Sequence, residues 1–145
     1  MKERQLTVGL EIHVELKTRT KMFCDCVNDP DEKHPNANIC PVCTAQPGSL
    51  PVLNRRAVEL AFQAAMALDC RLATQPIFAR KNYFYPDLPK AYQISQYDQP
   101  FSQHGVLEIE VDGARRLVHL ERIHLEEDTA RLLHRSDPSG GDGYS

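Results

Sequence analysis

The stretch LEIEVDGARRLVHLERIHLEED, residues 107–128, sets the fold class. Leu107, Ile109 and Val111 alternate with Glu108 and Glu110, the period of two expected of a strand with one buried face. Asp112-Gly113 is a two-residue hairpin signal, since a tight primed turn needs positive φ at both positions. The returning strand is expected to run from Arg116 to Asp128. Its Ile123 and Leu125 stay apolar on one face. The other face changes from Val118 and Leu120 to Arg122, His124 and Glu126. Such a hairpin predicts antiparallel β-structure, with the acidic cluster Glu126-Glu127-Asp128 at its far end.

A second strand is predicted over Thr7–Leu16. Val8, Leu10, Ile12, Val14 and Leu16 share one face, and Gly9, Glu11, His13 and Glu15 the other. Gly9 leaves room for a ligand to approach the backbone beside Glu11 and His13. Two strands that each present carboxylate and imidazole away from the core suit a divalent cation, which lets repelling carboxylates sit together. The alternative is two solvated strand faces. Between these strands, Asn54 can cap a helix running to about Leu68, with Ala57, Val58, Ala61, Ala64, Ala65 and Leu68 as its apolar stripe. Residues 91–97 read as a short strand. An antiparallel hairpin together with one helical segment makes this a mixed, α+β domain.

Five cysteines are present, and four form C-x-C, thirteen residues, then C-x-x-C: Cys24, Cys26, Cys40 and Cys43. Two close thiolate pairs across such a loop can surround one tetrahedral zinc ion, in a closed and therefore structural site. The intervening VNDPDEKHPNANI is too polar to pack a core, so a metal staple suits it. An iron–sulfur centre is the rival occupant. Cys70, at the end of the helix, reads as a buried free thiol.

The 145 residues carry a net charge of −3, which disfavours a generic basic nucleic-acid binder. No run reaches the roughly 20 apolar residues of a membrane span, and the start is too polar and acidic for a signal peptide. A cytoplasmic domain with reduced thiols is the expectation. In ARKNYFYPDLPK, residues 79–90, two basic residues precede three aromatics and two prolines. Two readings stand: rings packed on the core, or Arg80 and Lys81 meeting phosphates while a ring stacks on a base. Neither a P-loop nor a dinucleotide fingerprint occurs, and Gly140-Gly141-Asp142-Gly143 reads as a flexible loop.

Several stretches together resemble one family, the B subunits of the aspartyl/glutamyl-tRNA amidotransferases. They are VGLEIHVELKT (8–18), FCDC with CPVC, QPGSLPVLNRRAVELAFQAAMAL (46–68), RKNYFYPDLPKAYQISQYDQP (80–100) and RIHLEEDTARL (122–132). They occur in the family's order and cover nearly the whole chain. The resemblance implies an antiparallel sheet with helices on one side, a cradle like those of glutamine synthetase and the guanido kinases, with an inserted four-cysteine zinc knuckle at 24–43. It implies an ATP-dependent enzyme that phosphorylates the side-chain carboxylate of Glu-tRNA(Gln) or Asp-tRNA(Asn). Ammonia from a glutaminase partner then displaces the phosphate. The A and C subunits of a heterotrimer, the misacylated tRNA, ATP and Mg2+ follow from it as partners and cofactors.

Residue by residue, the resemblance makes Glu11 and His13 groups of the magnesium site, completed by Glu126 or Glu127. His13 is a less usual magnesium partner than an oxygen, so it would stand behind the ligands or accept manganese. Lys81 would lie near the phosphates or the ammonia exit. Arg80, Tyr83 and Lys90 would be nucleotide contacts, and Tyr83 and Tyr85 would touch nucleotide or tRNA end, or pack. Family members continue far beyond this length. Residues 1–145 are therefore expected to be the first part of the kinase cradle, without the helical and tail tRNA-binding domains, and inactive alone. The competing reading is a zinc-stabilised RNA- or protein-binding module without catalysis.

Overall fold

A computed structural model describes residues 4–128 and, as backbone, two short strands beyond them. The first helix, α1 (Arg55–Ala67), starts where expected: Asn54 takes an extended φ and its side chain accepts from the Arg56 N–H at 2.9 Å. Every fourth residue of α1, Ala57, Ala61 and Ala65, is buried, a narrow stripe that lets the helix lie close on its neighbours. Ala64, expected in that stripe, is exposed.

Strand β1 (Arg71–Leu72) follows, then β2 (Ala79–Asn82), β3 (Tyr92–Ser95), β4 (Ser102–Val111) and β5 (Ala114–Ile123). The β4–β5 hairpin keeps its register from Val111↔Ala114 down to Ser102↔Ile123. Asp112 (φ 52°) and Gly113 (φ 74°) supply the two positive dihedrals of the turn. β1 adds to the other edge of β4, while β2 and β3 form a separate antiparallel pair. Strands β6 (His134–Ser136) and β7 (Asp142–Tyr144) make a third pair. Asp142-Gly143 thus belongs to a strand rather than to the predicted loop, and Gly140 and Gly141 lie outside the described residues. The class is α+β with antiparallel sheets, as expected, but distributed over three small sheets among the described residues.

The core is Ala61, Ala65, Phe101 and Leu125, ringed by Leu16, Met22, Val58, Phe62, Phe78 and Ile123. Phe62 meets Phe101 edge-on at 4.6 Å between ring centroids. Where β4 passes the end of α1, Gly105 is required by space: a Cβ there would stand 2.4 Å from Cys70 Sγ and 2.9 Å from Leu68 O. Cys70 is a free thiol, half-buried in this contact rather than fully enclosed.

Two strand predictions need correction. β5 ends at Ile123, short of Asp128, because residues 124–128 leave β4 and run antiparallel beside β3. There the Leu125 N–H donates to Gln96 Oε1 at 3.1 Å and the Glu127 N–H to Ile94 O at 2.9 Å. Residues 7–16 form no strand at all, and the face expected to be buried is open, with Leu10 89% exposed. The alternation is a capacity for pairing. A strand also needs a neighbour to take its N–H and C=O groups, and no described strand pairs with this segment. Only Leu16, at its end, reaches the core.

Candidate functional site

The cysteine knuckle is built from two turns. Around the isolated bridge Thr20↔Val27, the Lys21 N–H donates to Cys26 O at 2.9 Å and the Asn28 N–H to Arg19 O at 3.1 Å, presenting Cys24 and Cys26. The second turn, over 40–46, is closed by the Thr44 N–H to Cys40 O and the Gln46 N–H to Pro41 O, with Ala45 left-handed at φ 51°. Cys43 Sγ then stands 3.6 Å from Cys24, 3.8 Å from Cys40 and 3.9 Å from Cys26. With Zn–S near 2.3 Å, the edge of a zinc tetrahedron is about 3.8 Å; the three distances from Cys43 match it, and all four sulfurs lie within 4.8 Å of one another. In a four-iron, four-sulfide cluster each thiolate bonds a different iron and the sulfurs stand further apart. The four cysteines could therefore hold a metal such as zinc, and they are the one group of three or more potential ligands that converges among the described residues.

Electrostatics within the cluster differ by position. Burial, reinforced by neighbouring Cys43, pushes the Cys24 thiol up to about 12. Burial also raises Cys26. The backbone N–H of Cys43 pulls Cys40 down to about 7. Lys21, which the spacing argument overlooks, puts its Nζ 2.6 Å from Asn38 O and 3.8 Å from Cys43 Sγ. A cation this close offsets part of the negative charge of four thiolates. The only sequence signal for it is a lysine just before the first cysteine.

The second group lies on β2, β3 and residues 124–128. Adjacent strand residues point to opposite faces, so Arg80 and Lys81 part company. Arg80 stacks 4.9 Å over the Tyr92 ring, whereas Lys81 reaches Glu126 Oε1 at 3.7 Å. Lys81 is 63% exposed and Glu126 18%, so the pair forms an open ledge with a half-buried acid. Lys81 also lies 5.7 Å over the Tyr83 ring. Phe84, 91% exposed, and Tyr85 point to solvent, so the packed-ring reading fails for those two.

Glu127 is held quite differently. Lys90 Nζ forms an ion pair with its Oε1, the Ile94 N–H donates to its Oε2 at 3.2 Å, and Gln93 Nε2 donates to its backbone O at 2.6 Å. The Lys90 side chain is 4% exposed and that of Glu127 20%, so a buried cation is matched here by a part-buried carboxylate. Lys90, expected at the nucleotide, is in this arrangement fully engaged with Glu127 and stands 5.1 Å from the Tyr92 ring.

Glu11 and His13 share one side of their segment, as the alternation predicts, with His13 Nε2 3.6 Å from Glu11 Oε1 and both side chains exposed. They do not converge with Glu126 or Glu127 on a common point within the described residues. Carboxylate oxygens are the right donors for a hard divalent cation. The segment that carries Glu11, however, is the unpaired one.

Comparison with known proteins adds a further finding. A family model described as the GatB/GatE catalytic domain matches residues 6–143. The aspartyl/glutamyl-tRNA(Asn/Gln) amidotransferase B subunit of Thermomicrobium roseum is 55% identical over 143 residues, covering 99% of this chain and 29% of that protein. The protein of the same name from Geobacter sulfurreducens is 53% identical over 139 residues, 96% of this chain and 29% of its own length. That from Carboxydothermus hydrogenoformans is 53% identical over 137 residues, 94% and 28% respectively. The chain thus spans under a third of the length of the curated relatives it matches.

Proposed function

The chain belongs to the GatB/GatE catalytic-domain family, and on that premise we propose that it supplies part of the carboxylate-activating site of a tRNA-dependent amidotransferase. In this reading the longer protein, together with its A and C partner subunits, binds Glu-tRNA(Gln) or Asp-tRNA(Asn). A side-chain carboxylate oxygen attacks the γ-phosphorus of ATP, ADP leaves, and ammonia from the glutaminase partner displaces the phosphate. The observation that carries the reading is the family match across residues 6–143. The opposed charges of Lys81 and Glu126 on one open ledge are consistent with it.

Glu126 is proposed as the acid that would meet Mg2+, which when bound neutralises charge on the transferring phosphoryl group. Glu11, with His13 behind it, would join the site only if residues 7–16 were brought to it in the longer protein, since the three do not converge among the described residues. Lys81 is proposed to attract the phosphates and Tyr83, under Lys81, to line the nucleotide side, while Arg80 lies on the opposite face of β2. Glu127 and Lys90, which the sequence also nominates, are engaged with each other, which favours Glu126 as the acid that meets the cation. The cradle-like fold is likewise a proposal, in which residues 7–16 would complete a sheet with a neighbour that the described residues do not provide. The cysteine knuckle is assigned a structural zinc, since all four positions are thiolate and none is left for substrate.

A second reading, a zinc-stabilised RNA- or protein-binding module, is favoured by the exposed Phe84 and Tyr85 beside Arg80 and Lys81. One experiment separates the two. Glu11→Ala is introduced into the full-length protein within its complex, and tRNA amidation is measured beside glutaminase activity. Loss of ATP-dependent amidation with glutaminase retained supports the enzyme reading, and unchanged amidation rules Glu11 out of it.

A further inference from the structure

Glu126 and Glu127 are chemically identical neighbours, exposed alike at 18% and 20%, with different partners. The backbone of residue 127 is fixed on both sides: its N–H donates to Ile94 O at 2.9 Å and its carbonyl accepts from Gln93 Nε2 at 2.6 Å. Its carboxylate is fixed as well, with one oxygen on the Ile94 N–H and the other on Lys90 Nζ. In an ordinary antiparallel ladder the Ile94 N–H would go to a backbone carbonyl, so here a side chain substitutes for the ladder. Lys90 itself is delivered by a strained turn. Pro86 and Pro89 both precede it, the Ala91 N–H donates to Leu88 O at 3.0 Å, and Ala91 is left-handed at φ 59°. A non-glycine residue in that region persists only where its surroundings enforce it.

The consequence falls on residue 126. In extended backbone, successive side chains diverge, so pinning Glu127 to Lys90 and the Ile94 N–H turns Glu126 to the other side, toward Lys81. Ile123 and Leu125 fix the same parity by entering the core. We propose that Lys90 and Glu127 are positioning residues: their ion pair, buried at the lysine end and closed over the Ile94 N–H, aims the Glu126 carboxylate at the Lys81 ledge. The proposal rests on the reading of Glu126 as a cation-binding acid. It predicts that disturbing the pair alters cation dependence and not only the quantity of folded enzyme.

The test uses the full-length protein in its three-subunit complex. Manganese binding is read directly by electron paramagnetic resonance, where Glu127→Ala should bind more weakly than wild type and equal binding would overturn the proposal. MgCl2 is titrated in the ATP- and tRNA-dependent amidation assay. The variants are Glu126→Gln, Glu127→Ala, Glu127→Gln and the neutral pair Lys90→Met/Glu127→Gln. Residues that orient metal ligands typically contribute about 10- to 100-fold in metal affinity or activity. Glu127→Ala should raise the magnesium concentration for half-maximal rate by roughly 10-fold or more. Glu127→Gln retains an oxygen for the Ile94 N–H and should be shifted less. The neutral pair avoids a stranded buried charge, so it reports on positioning even if Glu127→Ala does not fold. It too should need more magnesium than wild type.

A lower maximal rate with wild-type magnesium dependence in both the neutral pair and any folded Glu127→Ala would overturn the proposal, leaving a purely structural role. If Glu126→Gln itself retains wild-type rate and magnesium dependence, the underlying reading of Glu126 falls, and the positioning role falls with it. An inactive Glu126→Gln beside unshifted Lys90 and Glu127 variants refutes the positioning role alone.

Discussion

Asn54 does two jobs with one amide, and they can be separated by substitution. Its Oδ1 caps α1 by accepting from the Arg56 N–H at 2.9 Å. Its Nδ2 donates to Thr20 Oγ1 at 2.9 Å and Thr20 O at 3.1 Å, tying the helix to the base of the cysteine knuckle. Asn54→Ala removes both. Losing a cap costs about 1 kcal/mol, and losing the part-buried ties adds roughly 1–2 kcal/mol. The sum, about 2–3 kcal/mol, is a large share of the 5–15 kcal/mol typical of a domain. Asn54→Asp keeps the acceptor and sets a negative charge at the helix N-terminus, favourable by about 0.3–1 kcal/mol. It loses the donor, however, and sets a carboxylate against Thr20 O, so a net cost of about 1 kcal/mol is expected. Urea unfolding of the metal-loaded chain, followed by helical circular dichroism, should rank wild type above Asp and Asp above Ala. Equal midpoints for wild type and Asp would show that the tie to the knuckle contributes nothing. Equal midpoints for Asp and Ala would show that the cap contributes nothing.

Cys43 is the hub of the knuckle, within 3.9 Å of each of the other three sulfurs, so Cys43→Ser should abolish zinc retention while the β4–β5 hairpin survives. Elemental analysis and far-ultraviolet circular dichroism check this, and global loss of structure would count against it. Gly105→Ala forces a methyl into Cys70 Sγ and Leu68 O, a strain of about 1–3 kcal/mol or more. Adding Cys70→Ala should restore only part of the stability, because the Leu68 carbonyl is backbone, and full recovery in thermal melts would contradict the packing described. Zinc uptake must displace thiol protons, notably from Cys24, held up to about 12 by burial, more than from Cys40 at about 7. Chelator competition should therefore show apparent zinc affinity climbing as pH rises, and a pH-independent affinity would exclude thiolate ligation.

The parts legible in the sequence are those whose physics is local. Asp112-Gly113 must turn, Asn54 must cap, and two cysteine pairs across a polar loop have few other uses. Residues 7–16 show the limit: alternation specifies a strand's faces, but the hydrogen-bond partners come from elsewhere. The distinction between Glu126 and Glu127 depends on Lys90, 37 positions away along the chain, through contacts that no periodicity contains. A signal was nevertheless present. Ile123 and Leu125 occupy the buried parity, Glu127 continues it, and an acid on a buried face requires a buried cation. Arg80 and Lys81, read together as a phosphate-binding pair, are separated by the strand geometry that places them side by side.

The most direct test of the central claim is manganese binding to the full-length protein, followed by electron paramagnetic resonance with and without ATP, in wild type and Glu126→Gln. The account predicts an ATP-linked manganese signal in the wild type that is strongly weakened in Glu126→Gln, with the zinc content of the cysteine knuckle unchanged. Identical manganese binding by the two proteins would contradict it.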